Sequence, residues 1–163
     1  MRGKYHLILT TLFFLSLWGV FNIWLGKEYI SITQILTAIP LSYFPDIDTN
    51  FKFLGHRNWF THSIILWVGI YYFNPHSIFL LIVLAVGFHC LCDCRVKRSK
   101  QRGYYTIKIL PIVIMFRVDF YLRFIPLLKS GKVRYKGLNG RNSTIWLLLN
   151  FIVSLGLFLY VAF

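Results

Sequence analysis

Residues 77–93 read SIFLLIVLAVGFHCLCD and pass without a break into residues 94–102, CRVKRSKQR. From Ser77 to Cys92 the run is apolar apart from His89, and it then meets five Lys and Arg between positions 95 and 102. That order predicts a helix inside an apolar phase whose basic end lies at a cytoplasmic membrane surface. On such a helix His89 and Asp93 sit one turn apart on one face, so both side chains can reach the same ion. Ionisable groups at membrane depth are costly and point to function by default.

The rest of the chain agrees with a membrane setting. Of 163 residues, 57 % are hydrophobic, 19 % aromatic and 14 % charged, against roughly 25 % charged in ordinary soluble proteins. The mean hydropathy is +0.62. These values exclude a disordered chain, an acidic tail and a typical cytosolic enzyme. Eighteen Lys and Arg against five acids give a net charge of +13. Anionic headgroups and the positive-inside rule account for that excess most simply. An anionic substrate, phospholipid or nucleic acid, is the sharper alternative.

Outward from the 77–102 stretch, four further apolar segments stand out: Leu7 to Leu25, Tyr29 to Phe44, Trp59 to Phe73 and Ile145 to Phe163. Trp24 and Leu25 occupy the place where a signal cleavage site would need small residues, so the first segment reads as a retained span. The middle segments would each reach only about 24 Å at ~1.5 Å per residue, less than a ~30 Å hydrocarbon core. They read as buried bundle helices. The expected fold is all-α: one polytopic integral-membrane domain over 1–163 with about five membrane segments. Within it, 1–94 is the motif-bearing core, 95–144 a basic interfacial region and 145–163 a final transmembrane helix. Residues 104–128 fit a surface-lying helix or a helical hairpin. Cys90, Cys92 and Cys94 are packed too closely for a disulfide framework and read as reduced apolar fillers.

Alternating the segments brings separate polar elements to one membrane face. With the N-terminus cytoplasmic, His6, the 46–58 loop, and His89 with Asp93 all lie inside, while His76 lies outside. Three of the five acids, Asp46, Asp48 and Asp93, thereby join four histidines, His6, His56, His62 and His89. Imidazole with carboxylate suits zinc, and also manganese or iron. Two carboxylates two residues apart can ligate, bridge or orient a histidine. Each piece also has a plain reading: Asp46 and Asp48 as helix caps, Thr61 as the N-cap of the third helix, Arg57 as a headgroup anchor.

His6, Pro45-Asp-Ile-Asp48, Gly55-His-Arg57 with Thr61-His-Ser63, and Gly87-x-His89-x3-Asp93 resemble the YdjM-type family of membrane-bound metal-dependent hydrolases, over residues 1–94. That family is grouped with zinc-dependent phospholipase C and related single-strand nucleases. The resemblance implies a helical fold and one or two divalent ions. Asp48, a motif histidine (His56 or His62), His89 and Asp93 would surround one ion, and His6 with Asp93 a second. The further His and Glu ligands of a trinuclear site do not appear after Asp93.

The expected function is hydrolysis of a lipid or lipid-linked phosphate at the cytoplasmic face of an integral-membrane protein, in the inner membrane if the source is bacterial. Asp46 or Asp48 would accept the proton of the attacking water, and Arg57 would neutralise phosphoryl oxygens. The expected partners are membrane lipids with anionic headgroups. Two other classes fit the same residues: a metal-stabilised adaptor for a protein or nucleic acid, and a membrane-tethered nuclease. Tyr104, Tyr105, Tyr121 and Tyr135 beside basic residues are a weak stacking platform, and interfacial anchoring explains them as easily.

Overall fold

A computed structural model describes residues 3–26, 30–50, 60–95, 105–107, 134–136, 138 and 140–163. Among the described residues the regular structure is helical apart from one short ribbon. Helix α1 (Gly3–Trp18) widens into a π-helical stretch, Gly19–Trp24. There the Asn22 side-chain amide donates to the Trp18 carbonyl at 3.2 Å and to the Ile30 carbonyl at 3.0 Å. Gly26, at φ +62°, ends this helix in the left-handed conformation that glycine adopts without strain.

Helix α2 (Ile32–Leu41) starts at a capping box. Ser31 Oγ accepts from the Gln34 N–H, and Gln34 Oε1 accepts from the Ser31 N–H. Gln34 Nε2 also donates to Ser77 Oγ at 2.6 Å, which ties the start of α2 to that of α4. A 3-10 segment, Phe44–Asn50, follows. Helix α3 (Ile65–Phe73) leads to α4 (Ser77–Asp93), whose first turn is capped by His76 Nδ1 accepting from the Ile78 N–H at 3.3 Å. Strands β1 (Tyr105–Ile107) and β2 (Arg134–Lys136) pair antiparallel, with Thr106 opposite Tyr135. The last helix is α5 (Gly140–Ala162).

Two differences from the sequence reading have local causes. Helix α3 begins at Ile65 rather than near Trp59, because α5 holds the backbone around His62 in a turn. Asn150 Oδ1 accepts from the Ile64 N–H at 2.8 Å, and Trp146 Nε1 donates to the His62 carbonyl at 3.1 Å. Residues 105–107 are extended rather than helical, as an aromatic followed by two β-branched residues favours.

Helix α4 is the hub. It packs most extensively against α5, then α2 and α3, and is buried continuously from Leu80 to Gly87 and again at His89 and Cys90. Helices α2 and α3 are shorter than the segments expected there; α3 buries none of its residues. Among the described residues, two helices are long and apolar enough to cross a membrane, Tyr5–Trp24 and Gly140–Ala162. Both are partly inverted relative to a soluble core helix. The buried stripe of α1 carries His6, Thr10 and Phe14, and that of α5 carries Ser143, Asn150 and Ser154 beside Leu147, Phe158 and Ala162. Aliphatic side chains face outward instead: Ile8 and Leu12 on α1 and Ile152 and Val153 on α5 are all more than half exposed. Polar and small residues between helices with aliphatic residues outside is the arrangement lipid favours.

The α4–α5 crossing is close. A Cβ on Gly87 would overlap the Ser154 side chain and stand 3.1 Å from the Asn150 carbonyl oxygen. Gly87→Val should therefore cost about 1–3 kcal/mol through overpacking, read as a lower unfolding midpoint in detergent. Gly156→Ala, where a Cβ meets nothing within 4 Å, should unfold at or slightly above the wild-type midpoint.

Candidate metal centre

Five of the expected ligands meet at one end of the helices. His6 comes from the first turns of α1, Asp46 from the 3-10 segment, His62 from the turn before α3, and His89 and Asp93 from the last turn and a half of α4. Chain direction explains the convergence, because α1 starts, α2 has just ended, α3 is about to start and α4 ends at this level. The C-terminus of α4 adds the negative end of a helix dipole, which favours a cation there. His76 caps the opposite end of α4, away from the cluster.

The nitrogen that faces the acids is Nε2 in all three histidines. His6 Nε2 lies 3.2 Å from Asp93 Oδ1, and His62 Nε2 lies 3.5 Å from Asp93 Oδ2 and 3.7 Å from Asp46 Oδ1. His89 Nε2 is 3.8 Å from Asp46 Oδ1 and 3.9 Å from Asp93 Oδ2. The His6 and His89 rings stack with centroids 4.2 Å apart, and His62 meets His89 edge-on at 5.6 Å. His6, His62 and His89 are at most 1 % exposed and Asp46 is 7 % exposed.

Two groups have donor atoms all within 4.8 Å of one another: His6, His89 and Asp93, and Asp46, His62 and His89. Either group could hold a metal ion, and His89 belongs to both. The donor chemistry fits a cation. Neither ring nitrogen of His89 makes a hydrogen bond among the described residues, and a buried nitrogen left so costs about 1–3 kcal/mol. His62 Nδ1 faces Thr61 Oγ1 at 3.3 Å, a contact that leaves Nε2 as the coordinating atom when Nδ1 carries the proton. Thr61 thus serves the histidine beside it; the N-cap position of α3 falls to Ile64, while Ser63 Oγ accepts from the Ile65 N–H at 3.1 Å.

Burial alone would raise the Asp46 carboxyl. The His62 hydrogen bond and the charges of His89 and His62 outweigh it and hold Asp46 below its ordinary value. Burial and neighbouring Asp93 push the Cys94 thiol up to about 11. Cys90, Cys92 and Cys94 are free thiols. The Asp48 side chain, His56 and Arg57 lie outside the described residues.

Sequence reasoning passed over Trp146 and Asn150, which hold the His62 turn from α5. A signal for Asn150 was present: a carboxamide in the middle of an apolar spanning run. Thr10, fully buried one turn from His6 on α1, was also passed over.

Comparisons with protein-family models, with curated proteins and with solved structures give no match to this chain.

Proposed function

We propose that this chain is a membrane-embedded, metal-dependent phosphoesterase that hydrolyses a lipid or lipid-linked phosphate at the cytoplasmic surface. The observation that carries the reading is the cluster of three buried histidines and two aspartates at the end of helices whose outer faces are aliphatic. A soluble substrate gives no reason to build such a centre between apolar helices, whereas a phosphate at headgroup depth does. Mixed imidazole and carboxylate donors favour zinc, in one or two ions. An ion held there would supply Lewis acidity toward phosphoryl oxygens and lower the pKa of water beside it.

The chain's own residues divide the remaining work. His6, His62, His89 and Asp93 hold the cation. Asp46, kept ionised by its histidine neighbours, is a good ligand and a weak base, which leaves Asp48 as the acceptor of the water's proton. Arg57 neutralises charge growing on the phosphoryl oxygens. The basic stretch 95–102 raises the local concentration of anionic headgroups. In this reading α2, α3 and α4 complete a polytopic bundle with the spans α1 and α5.

Elemental analysis of the purified chain followed by phosphate-release assays tests this directly. Stoichiometric metal with turnover of phospholipid or lipid phosphate is the expected result. Metal without turnover would favour the adaptor, and cleavage of single-stranded nucleic acid alone would favour the tethered nuclease. Acidification should also release the metal. Imidazole binds only when deprotonated, so protons compete with the cation for the same ring nitrogens. Equilibrium dialysis at successively lower pH should show metal content falling and never rising.

A further inference from the structure

We infer that Asn150 and Trp146 of α5 are positioning residues that set the ligand His62, so that the metal centre depends on a helix contributing no ligand to it. The inference rests on the metal reading above and extends it to residues outside the motif-bearing half of the chain.

The geometry is specific. Asn150 is 5 % exposed and uses both ends of its amide: Oδ1 accepts from the Ile64 N–H at 2.8 Å, and Nδ2 donates to the Trp146 carbonyl at 2.8 Å. Trp146 Nε1 in turn donates to the His62 carbonyl at 3.1 Å. Two bonds from one face of α5 therefore grip the backbone on either side of Ser63. That grip fixes where His62 leaves the chain, with Nε2 toward Asp46 and Asp93. In the absence of Asn150 the Ile64 N–H would be a buried donor seeking a partner, and the simplest partner is a carbonyl one helical turn earlier. Helix α3 would extend toward its N-terminus and swing His62 about the helix axis, away from the acids. Asn is the side chain for this place because it accepts from one strand of the turn while its own donor locks the rotamer; Leu fills similar volume and does neither.

The test uses the full chain in detergent, with Co2+ as the probe, because its visible absorption reports coordination number and donor type. Asn150→Leu should weaken Co2+ binding about 10–100-fold, the range for partners that orient a ligand, and should shift the absorption toward that of His62→Ala. The same substitution in a His62→Ala background, where His6, His89 and Asp93 still offer a site, should change affinity less than about threefold. Trp146→Phe keeps the ring and removes only the N–H; it should show the same dependence on His62 at smaller size, and it carries the cycle if Asn150→Leu does not fold. Equal losses with and without His62 would make these residues general packing groups and overturn the inference. An unchanged wild-type-like spectrum in Asn150→Leu would overturn it as well. No Co2+ uptake by the wild type would remove the metal reading itself, and this inference with it, a result distinct from either of the others.

Discussion

His89→Ala should remove all bound metal, whichever ion is present and whether one or two are held. His89 is the residue common to both ligand groups, it is fully buried, and its ring stacks on His6 and meets His62 edge-on. Alanine therefore subtracts a donor from each group and also the surface that fixes the two other rings. Losing any other member leaves one group intact, Asp93 included, although its Oδ1 and Oδ2 face His6 and His62 respectively. The expected series is no metal in His89→Ala, partial metal in His62→Ala, and wild-type metal in His76→Ala, which loses only a helix cap. Metal content by elemental analysis on matched preparations gives the answer. Equal content in all three would dismiss the cluster as a metal centre.

Arg57→Ala should behave in the opposite way, retaining metal and losing turnover. The proposed reaction gives Arg57 an anion to neutralise, whereas metal ligation gives a guanidinium nothing to do. The loss should be about 2–4 kcal/mol of transition-state stabilisation, roughly 30- to 900-fold in kcat, the scale of a lost oxyanion donor. Arg57→Lys should fail nearly as badly, since an ammonium keeps the charge without the planar fork. If Arg57 only anchors to headgroups, both variants should turn over at wild-type rates and differ in membrane seating. Metal content and hydrolysis rate measured on the same samples separate the two roles.

How much of this was legible in the sequence depended on whether the determinant was local. His89 and Asp93 are one helical turn apart, so their shared face follows from the period alone. The arrival of His6, Asp46 and His62 at the same end followed from alternating the segments, which needs only their number and direction. The start of α3 was not legible, because the Thr61-His62-Ser63 turn is imposed by bonds from Asn150 and Trp146, more than eighty positions later in the chain. Apolar composition from Trp59 onward is equally compatible with a longer helix, and no local rule distinguishes them. The inverted faces of α1 and α5 escaped notice for a related reason. When the outside is as apolar as the inside, hydrophobic periodicity vanishes, and the small polar residues become the signal. The split of the site into two groups sharing His89 is likewise a property of packing distances, which spacing cannot supply.

The contact between His6 and Asp93 joins the first helix to the end of the fourth. In a polymer sense it is a closure, and its partners stand nearly ninety residues apart, so most of the described chain lies inside the loop it ties. Loop closure of that length removes conformational freedom from the open chain at a cost that grows only slowly with length, and a cation shared between the two side chains would make the closure reversible. The cluster would then act as a fastener. A chelator would open that closure and leave the first helix held by its packing against α2 and α4. Metal supply would thereby set how tightly the first helix is tied to the fourth.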